Sequence, residues 1–207
     1  EYIYLNISNL KRQIIDKVKP TNYKLDDKTL LVDYVFICFF LGNDFIQHTP
    51  SINTRYDGLN ILLKTYNHLN DLYEGRFYLI DLQTSDLIDI KNLKYFVHEL
   101  SLCENENLKN ILKIRDNQER KYRKLYERNK TEYENHMPVI DRKREREIFN
   151  DLSDWIPEYY METVFHTRYS PVYFDRLNHE ISKICLGYIQ SLYWTIQYYI
   201  RGCISWR

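Results

Sequence analysis

Eight consecutive apolar residues, Tyr34 to Leu41, stop at Gly42, and Asn43 and Asp44 follow at once. No other stretch constrains the fold so tightly. A run this apolar must be buried, and glycine lets a helix end in a left-handed turn. The amide and carboxylate beyond it are then anchored by packed backbone while their oxygens stay accessible. Two readings fit. Gly-Asn-Asp is ordinary turn chemistry around a solvated Asp. It is also a way to hold an oxygen ligand for a hard ion such as Mg²⁺.

The chain has 207 residues, enough for one large domain with a real core. Its 29 Lys and Arg balance 29 Asp and Glu, so any contact with nucleic acid has to be local. Alanine is absent, which fits coding bias of an AT-rich genome. Helices without it rely on packing rather than propensity. Cys38, Cys103, Cys185 and Cys203 show no Cys-x-x-Cys spacing, which argues against zinc and a disulfide framework. A reducing, intracellular setting is expected, cytoplasmic or nuclear or a viral factory. Tyr34–Leu41 is too short to span a bilayer, so no membrane is expected as a partner.

Alternation over Tyr2–Ile7 predicts a short strand, followed by a helix capped at Ser8. A second helix runs from Asp26 or Asp27 to Leu41. A third opens at Ser51 or Asn53 and reaches about Leu69. Phe77–Asp81 and Leu87–Ile90 flank Gln83-Thr84-Ser85 and predict a β-hairpin, and Asp89 caps a helix to Leu102. From Leu108 to His136 a thin apolar row sits among dense charge. Lys109 to Lys130 holds nine basic residues against three acidic ones. This predicts one long, projecting helix, stitched by i,i+4 pairs such as Glu119–Arg123. A basic strut that touches nucleic-acid backbone or a partner is the alternative. Residues 138–154 read as a connection or a short charged helix. A helix then starts at Asp154 or Pro157, and a long apolar one spans Asp175–Arg201 and stops at Gly202. Trp194 belongs to its core face, with Ile184, Tyr188 and Leu192. Asp33 reads as a solvated helix residue rather than a metal's second shell.

Val35–Phe45 resembles the "VFLCFFVGNDF" signature of the Xrn 5′→3′ exoribonucleases. His48 matches the His that follows it there, while Ile46 and Gln47 replace Leu-Pro. Tyr2, Tyr4, Leu5, Ile7 and Leu10 fit the family's "FxFLxIxxLRE". Ser51–Tyr66 fits "SLxIREGAxxRLxxxY", with Arg55 and Tyr66 in register. Tyr159-Tyr160 and Phe165 fit "YYxxKF", and Tyr188–Trp206 fits "YxEGLxWVLxYYYxGCxSW". The stretch from about Leu100 to Asp154 carries no assignable match. Departures are Tyr56, where the family is acidic, and Gln190-Ser191, where it has Glu-Gly.

The resemblance implies a mainly α fold with a small β component, the helical domain of an Xrn-type, flap-nuclease-like exoribonuclease. Residues 1–107 would close the nuclease core and open the helical domain. Residues 108–154 would form the charged helix and linker, and 155–207 the last helical segment. Asp44 matches the last of the family's acidic metal ligands and is the expected catalytic and metal-binding residue. His48, Arg55 and Trp206 are the expected RNA contacts. The implied cofactor is Mg²⁺ or Mn²⁺, as two ions shared with acidic residues outside this chain. The implied partners are single-stranded RNA with a 5′-monophosphate and the N-terminal nuclease core of the same protein. Glu1 opens inside a strand pattern, and the chain stops at Trp206-Arg207 where the family runs on. A piece of a longer enzyme, inactive alone, is therefore expected. A non-catalytic helical RNA-binding or interaction module of the same fold is the rival. A DNA flap nuclease is a third reading, disfavoured by the missing Gly-rich hairpin after Asp44.

Overall fold

The computed structural model describes residues 4–19, 26–128, 142–152, 155–165, 174–203 and 205. Eight α-helices lie among them: α1 (Ile7–Val18), α2 (Asp27–Cys38), α3 (Gly58–Leu72), α4 (Ile90–Leu102), α5 (Glu104–Arg128), α6 (Lys143–Ile148), α7 (Trp155–Phe165) and α8 (Phe174–Arg201). The chain divides into two compact units, Glu1–Cys103 with Leu186–Arg207, and Glu104–Cys185. No helix among the described residues is long and apolar enough to cross a membrane.

Three helix starts, those of α1, α2 and α4, follow side-chain chemistry. Asp26 accepts the Thr29 N–H to open α2, and Asp89 accepts the Asn92 N–H to open α4. α1 begins earlier than expected because Asn6, not Ser8, caps it, accepting the Asn9 N–H at 2.9 Å. The strand expected over Tyr2–Ile7 is not found in its described part, since Ile7 is already helical. Tyr2 and Ile3 lie outside the described residues.

The first unit is organised around a buried carboxylate. Phe36, Phe40, Leu62, Tyr66 and Phe96 belong to its core, and Asp33 of α2 lies among them with no exposed surface. Asp33 is therefore not the solvated residue expected. Its oxygens accept the Tyr66 hydroxyl at 2.6 Å, the Ile80 N–H at 2.8 Å and the Leu79 N–H at 3.1 Å. A buried carboxylate without such donors would be costly. One side chain thus ties α2 to α3 and to the segment before α4.

The same bonds explain why the expected β-hairpin does not form. The Leu79 and Ile80 N–H groups go to Asp33, so they need no partner strand. What remains is one antiparallel bridge between Ile80 and Ile88, and no strand forms among the described residues. The loop beyond it is held from α8. Gln197 Nε2 donates to the Ser85 carbonyl, and Arg201 donates to those of Ser85 and Thr84, each at 2.9 Å.

The second unit buries Leu108, Ile111, Ile148, Trp155, Met161 and Leu177. Trp155 donates its indole N–H to Asn105 at 3.0 Å. The charged helix is bound to α6 and its N-cap, and the side chain of Arg123, the expected partner of Glu119, lies outside the described side chains. Arg142, almost fully buried, binds Asp116 at 2.8 Å and also pairs with Glu119 and Glu145. Arg146 pairs with Asp116 and Glu119, and Arg115 with Glu145. Arg144 binds Glu158 and Glu162 of α7 at 2.8 and 2.7 Å. Over residues 104–121, whose side chains are described, the helix expected to project is packed through Leu108 and Ile111 and bound by arginines from α6 and its N-cap. Residues 129–136 of that expectation lie outside the described residues.

Burial pushes the Asp33 carboxyl up to about 7, against the pull of the bonds from Tyr66, Leu79 and Ile80. An unfolded Asp titrates near 4. Between those values the folded chain keeps a proton the unfolded chain has lost. Asp33's contribution to stability should therefore fall as pH rises from about 4 to about 7, and stay level above that. Tyr66→Phe removes a bond that lowers the pKa, so Asp33 should titrate higher. It should also cost about 1–3 kcal/mol, the range for a buried hydrogen bond partner lost. Urea unfolding across pH, with and without Tyr66→Phe, measures both. A Tyr66→Phe chain as stable as wild type would remove the Asp33 bond from the account.

Candidate functional site

The end of α2 delivers the turn expected to carry chemistry. Phe39–Leu41 tightens into a 3-10 turn, with Phe39 and Phe40 buried. Gly42 follows at φ +86°, a conformation that suits glycine. A Cβ there would also stand 3.0 Å from the His48 nitrogen, so the residue is fixed by space as well as torsion.

Asn43 builds the next turn. Its side-chain oxygen accepts the N–H groups of Phe45 at 2.8 Å and Ile46 at 2.9 Å, and its own N–H donates to the Ile46 carbonyl at 2.8 Å. Such an Asx turn fixes backbone without a regular element. Ile46 is buried beneath it. Asp44 stands at the tip, exposed, and no hydrogen bond or ion pair involves its carboxylate among the described residues. Asn43 was legible only as a turn residue, and its role as the clamp needed coordinates.

His48 lies in the same loop, exposed, with Nδ1 2.8 Å from the Thr49 carbonyl. Arg55 lies apart from it in sequence, on the 3-10 turn Thr54–Tyr56, also exposed. Its backbone N–H bonds to Asn53, and no contact joins its guanidinium to Asp44 among the described residues. Trp206 lies outside the described residues.

Tyr188 of α8 packs against the core as expected, but Trp194 belongs to an aromatic group at the surface. Trp194 is half-buried and stacks on Tyr198 at 5.3 Å, with 8° between ring planes. Phe45, beside Asp44, meets both rings edge-on at 5.2 and 5.4 Å. The Trp194 indole N–H donates to the Ser205 carbonyl at 3.0 Å. Phe45, Tyr198 and Tyr199 each keep over a third of their surface in solvent. Phe45 and the α8 rings thus form one aromatic group that begins next to Asp44 in sequence and that Trp194 ties to Ser205. Sequence reasoning missed this because helical spacing does not say which aromatic face lies outward.

Comparison with known proteins identifies the setting. Residues 24–154 match the Xrn1 helical domain family. The chain belongs to that family. The match runs through 108–154, so the charged stretch lies inside the family's domain, contrary to the expectation that it carried no match. A "5'-3' exoribonuclease 2 homolog" from Drosophila melanogaster is 25% identical over the whole chain and is covered over 26% of its own length. A "5'-3' exoribonuclease 2" from Arabidopsis thaliana is 26% identical over 59% of the chain and 12% of its own length. One from Caenorhabditis elegans, a homolog of the same description, reaches 35% over 38% of the chain. The chain thus spans about a quarter or less of these relatives.

If Asn43 is the clamp, Asn43→Leu should free two N–H groups. Losing about 1 kcal/mol per bond makes amide exchange at Phe45 and Ile46 about fivefold faster. Asn43→Asp keeps the acceptor and should leave it within about twofold. Equal exchange in Asn43→Leu and wild type would show that the turn holds itself.

Proposed function

We propose that this chain is the helical part of a 5′→3′ exoribonuclease and supplies Asp44 to its divalent-metal site. One observation carries the reading. Asp44 is an exposed carboxylate without a partner among the described residues, on a turn locked by Gly42 and Asn43 at the end of a buried helix. Such a group is held in position yet free to take a hard cation.

The fit is partial. No group of three or more His, Cys, Asp or Glu among the described residues could hold a metal. Asp44 offers one oxygen ligand, and the remaining ligands would come from the nuclease core of the complete protein. Bound Mg²⁺ or Mn²⁺ would lower the pKa of a water and neutralise charge on the phosphodiester oxygens. The residues here have simpler tasks. Asn43 holds the turn, and Asp44 presents its oxygens. Single-stranded RNA with a 5′-monophosphate is the substrate of this reading. His48 and Arg55 are exposed and available to its phosphates.

Asp44→Asn in the complete protein keeps the shape of the side chain and removes its charge. Melting should be nearly unchanged, while decay of 5′-phosphorylated RNA in Mg²⁺ should fall by at least about a hundredfold, as loss of a metal-binding charge implies. The chain by itself, holding one ligand, should not digest that RNA. Normal decay by the Asp44→Asn protein would make Asp44 a plain turn residue, and processive digestion by this chain alone would contradict the divided site.

A further inference from the structure

From Ile184 to Ile200, α8 carries no charged residue. A helix that is apolar on all sides belongs in an interior. Its part in the first unit, from Leu186 on, is covered on one side. There Leu192, Thr195 and Ile196 are buried, and Tyr188 packs against the core. Leu186, Ile189, Tyr193 and Ile200 are exposed. At 100° per residue these four fall within about 60° of one another, and Gln190, also exposed, lies about 40° further round. Gln197 interrupts this arc, buried with its amide on the Ser85 carbonyl. The open face is therefore Leu186, Ile189, Gln190 and Tyr193, and it resumes at Ile200. Further round the helix, Trp194 and Tyr198 meet Phe45, which is next to Asp44 in sequence.

Single apolar residues at a surface are ordinary, whereas a continuous uncharged face over about two turns marks a contact with something else. The chain spans about a quarter or less of its relatives, so most of a complete protein of that length lies outside it. Asp44 offers one metal ligand, and the others have to come from the nuclease core, which must then approach the turn that Phe45 belongs to. Leu186 lies about 12 Å from Trp194 along the helix, within the reach of a single interface. RNA fits the face less well. The face has no cation to meet a phosphate, and the stacked rings of Trp194 and Tyr198 already cover one side of each other.

We propose that the face of α8 formed by Leu186, Ile189, Gln190 and Tyr193 is the surface on which the nuclease core of the complete protein docks, through an apolar, uncharged segment of that core. The proposal rests on the exoribonuclease reading for the existence of the core. Docking on a helix whose rings touch Phe45 brings the remaining metal ligands towards Asp44, so the same surface that stabilises the pair of domains also assembles the site. Gln190 is the one polar group on the face, and it gives the contact a directional hydrogen bond amid apolar neighbours.

The test uses the complete protein without RNA. Hydroxyl-radical footprinting compares the oxidation of Tyr193 and Ile189 in the folded protein with that of the same residues in urea, which cancels their intrinsic reactivity. Left open, the two side chains keep 36% and 40% of their surface in solvent and should react in about that proportion. Docked, they should react at about a tenth or less of the unfolded rate, because the centre of an interface excludes water. A benzophenone amino acid in place of Gln190 then reports what covers the face, with cross-linked peptides mapped by mass spectrometry. Cross-links to the nuclease core of the same polypeptide, unchanged on dilution, are expected. Open side chains in a protein that degrades 5′-phosphorylated RNA overturn the docking and leave the exonuclease reading standing. Cross-links between two copies, or protection that appears only when RNA is added, also overturn it. Protection and core cross-links in a protein that degrades no RNA keep the docked face and overturn the exonuclease reading.

Discussion

One buried carboxylate, Asp33, holds the first unit together. It satisfies a phenol from α3 and two backbone N–H groups from the segment before α4, while its own backbone belongs to α2. Three pieces of chain far apart in sequence are fixed by one group of atoms. Its isolation from water makes the arrangement demanding, since each donor lost would leave charge or polarity buried without compensation. The exposed turn at Asp44 begins just beyond the same helix. Its placement therefore depends on how firmly α2 is held, and Asp33 is a large part of that hold.

Polar side chains do comparable work elsewhere, in less buried form. Gln197 and Arg201 take backbone carbonyls of a loop that has no sheet to join. Arg142 binds acids on α5 and α6. A chain without alanine, rich in Asn, Lys and Tyr, builds many of its connections from long polar groups reaching backbone or opposite charge. These links are directional. They explain why irregular segments stay ordered where periodicity predicts regular elements.

The helices were largely legible in the sequence, because capping and apolar spacing are local. Asp26, Asp89 and Gly202 mark boundaries where the chain indeed turns. The Gly42-Asn43-Asp44 turn was legible for the same reason. Asp33 was not, because a carboxylate in an apolar helix gives no sign of distant donors such as Leu79. The hairpin failed for the matching reason: alternation around Ile80 and Ile88 records burial, and the N–H groups found another acceptor. Trp194 read as core with Tyr188, since period alone cannot tell a packed face from one left half in solvent. The pairing of α5 acids with Arg142 and Arg146 crosses about 25 residues of sequence, beyond the reach of an i,i+4 rule.

The central claim is that the Asp44 turn lies within a divalent-metal site of the complete protein. Replacing Mg²⁺ with Fe²⁺ and adding peroxide and ascorbate generates hydroxyl radicals at the bound ion, which cut nearby backbone. Mapping the cuts by mass spectrometry reads the ion's location directly. The account predicts cleavage concentrated at residues 42–46, suppressed by excess Mg²⁺ and lost in Asp44→Asn. Cuts elsewhere in the protein with the 42–46 segment left intact would place the ion away from Asp44 and contradict it.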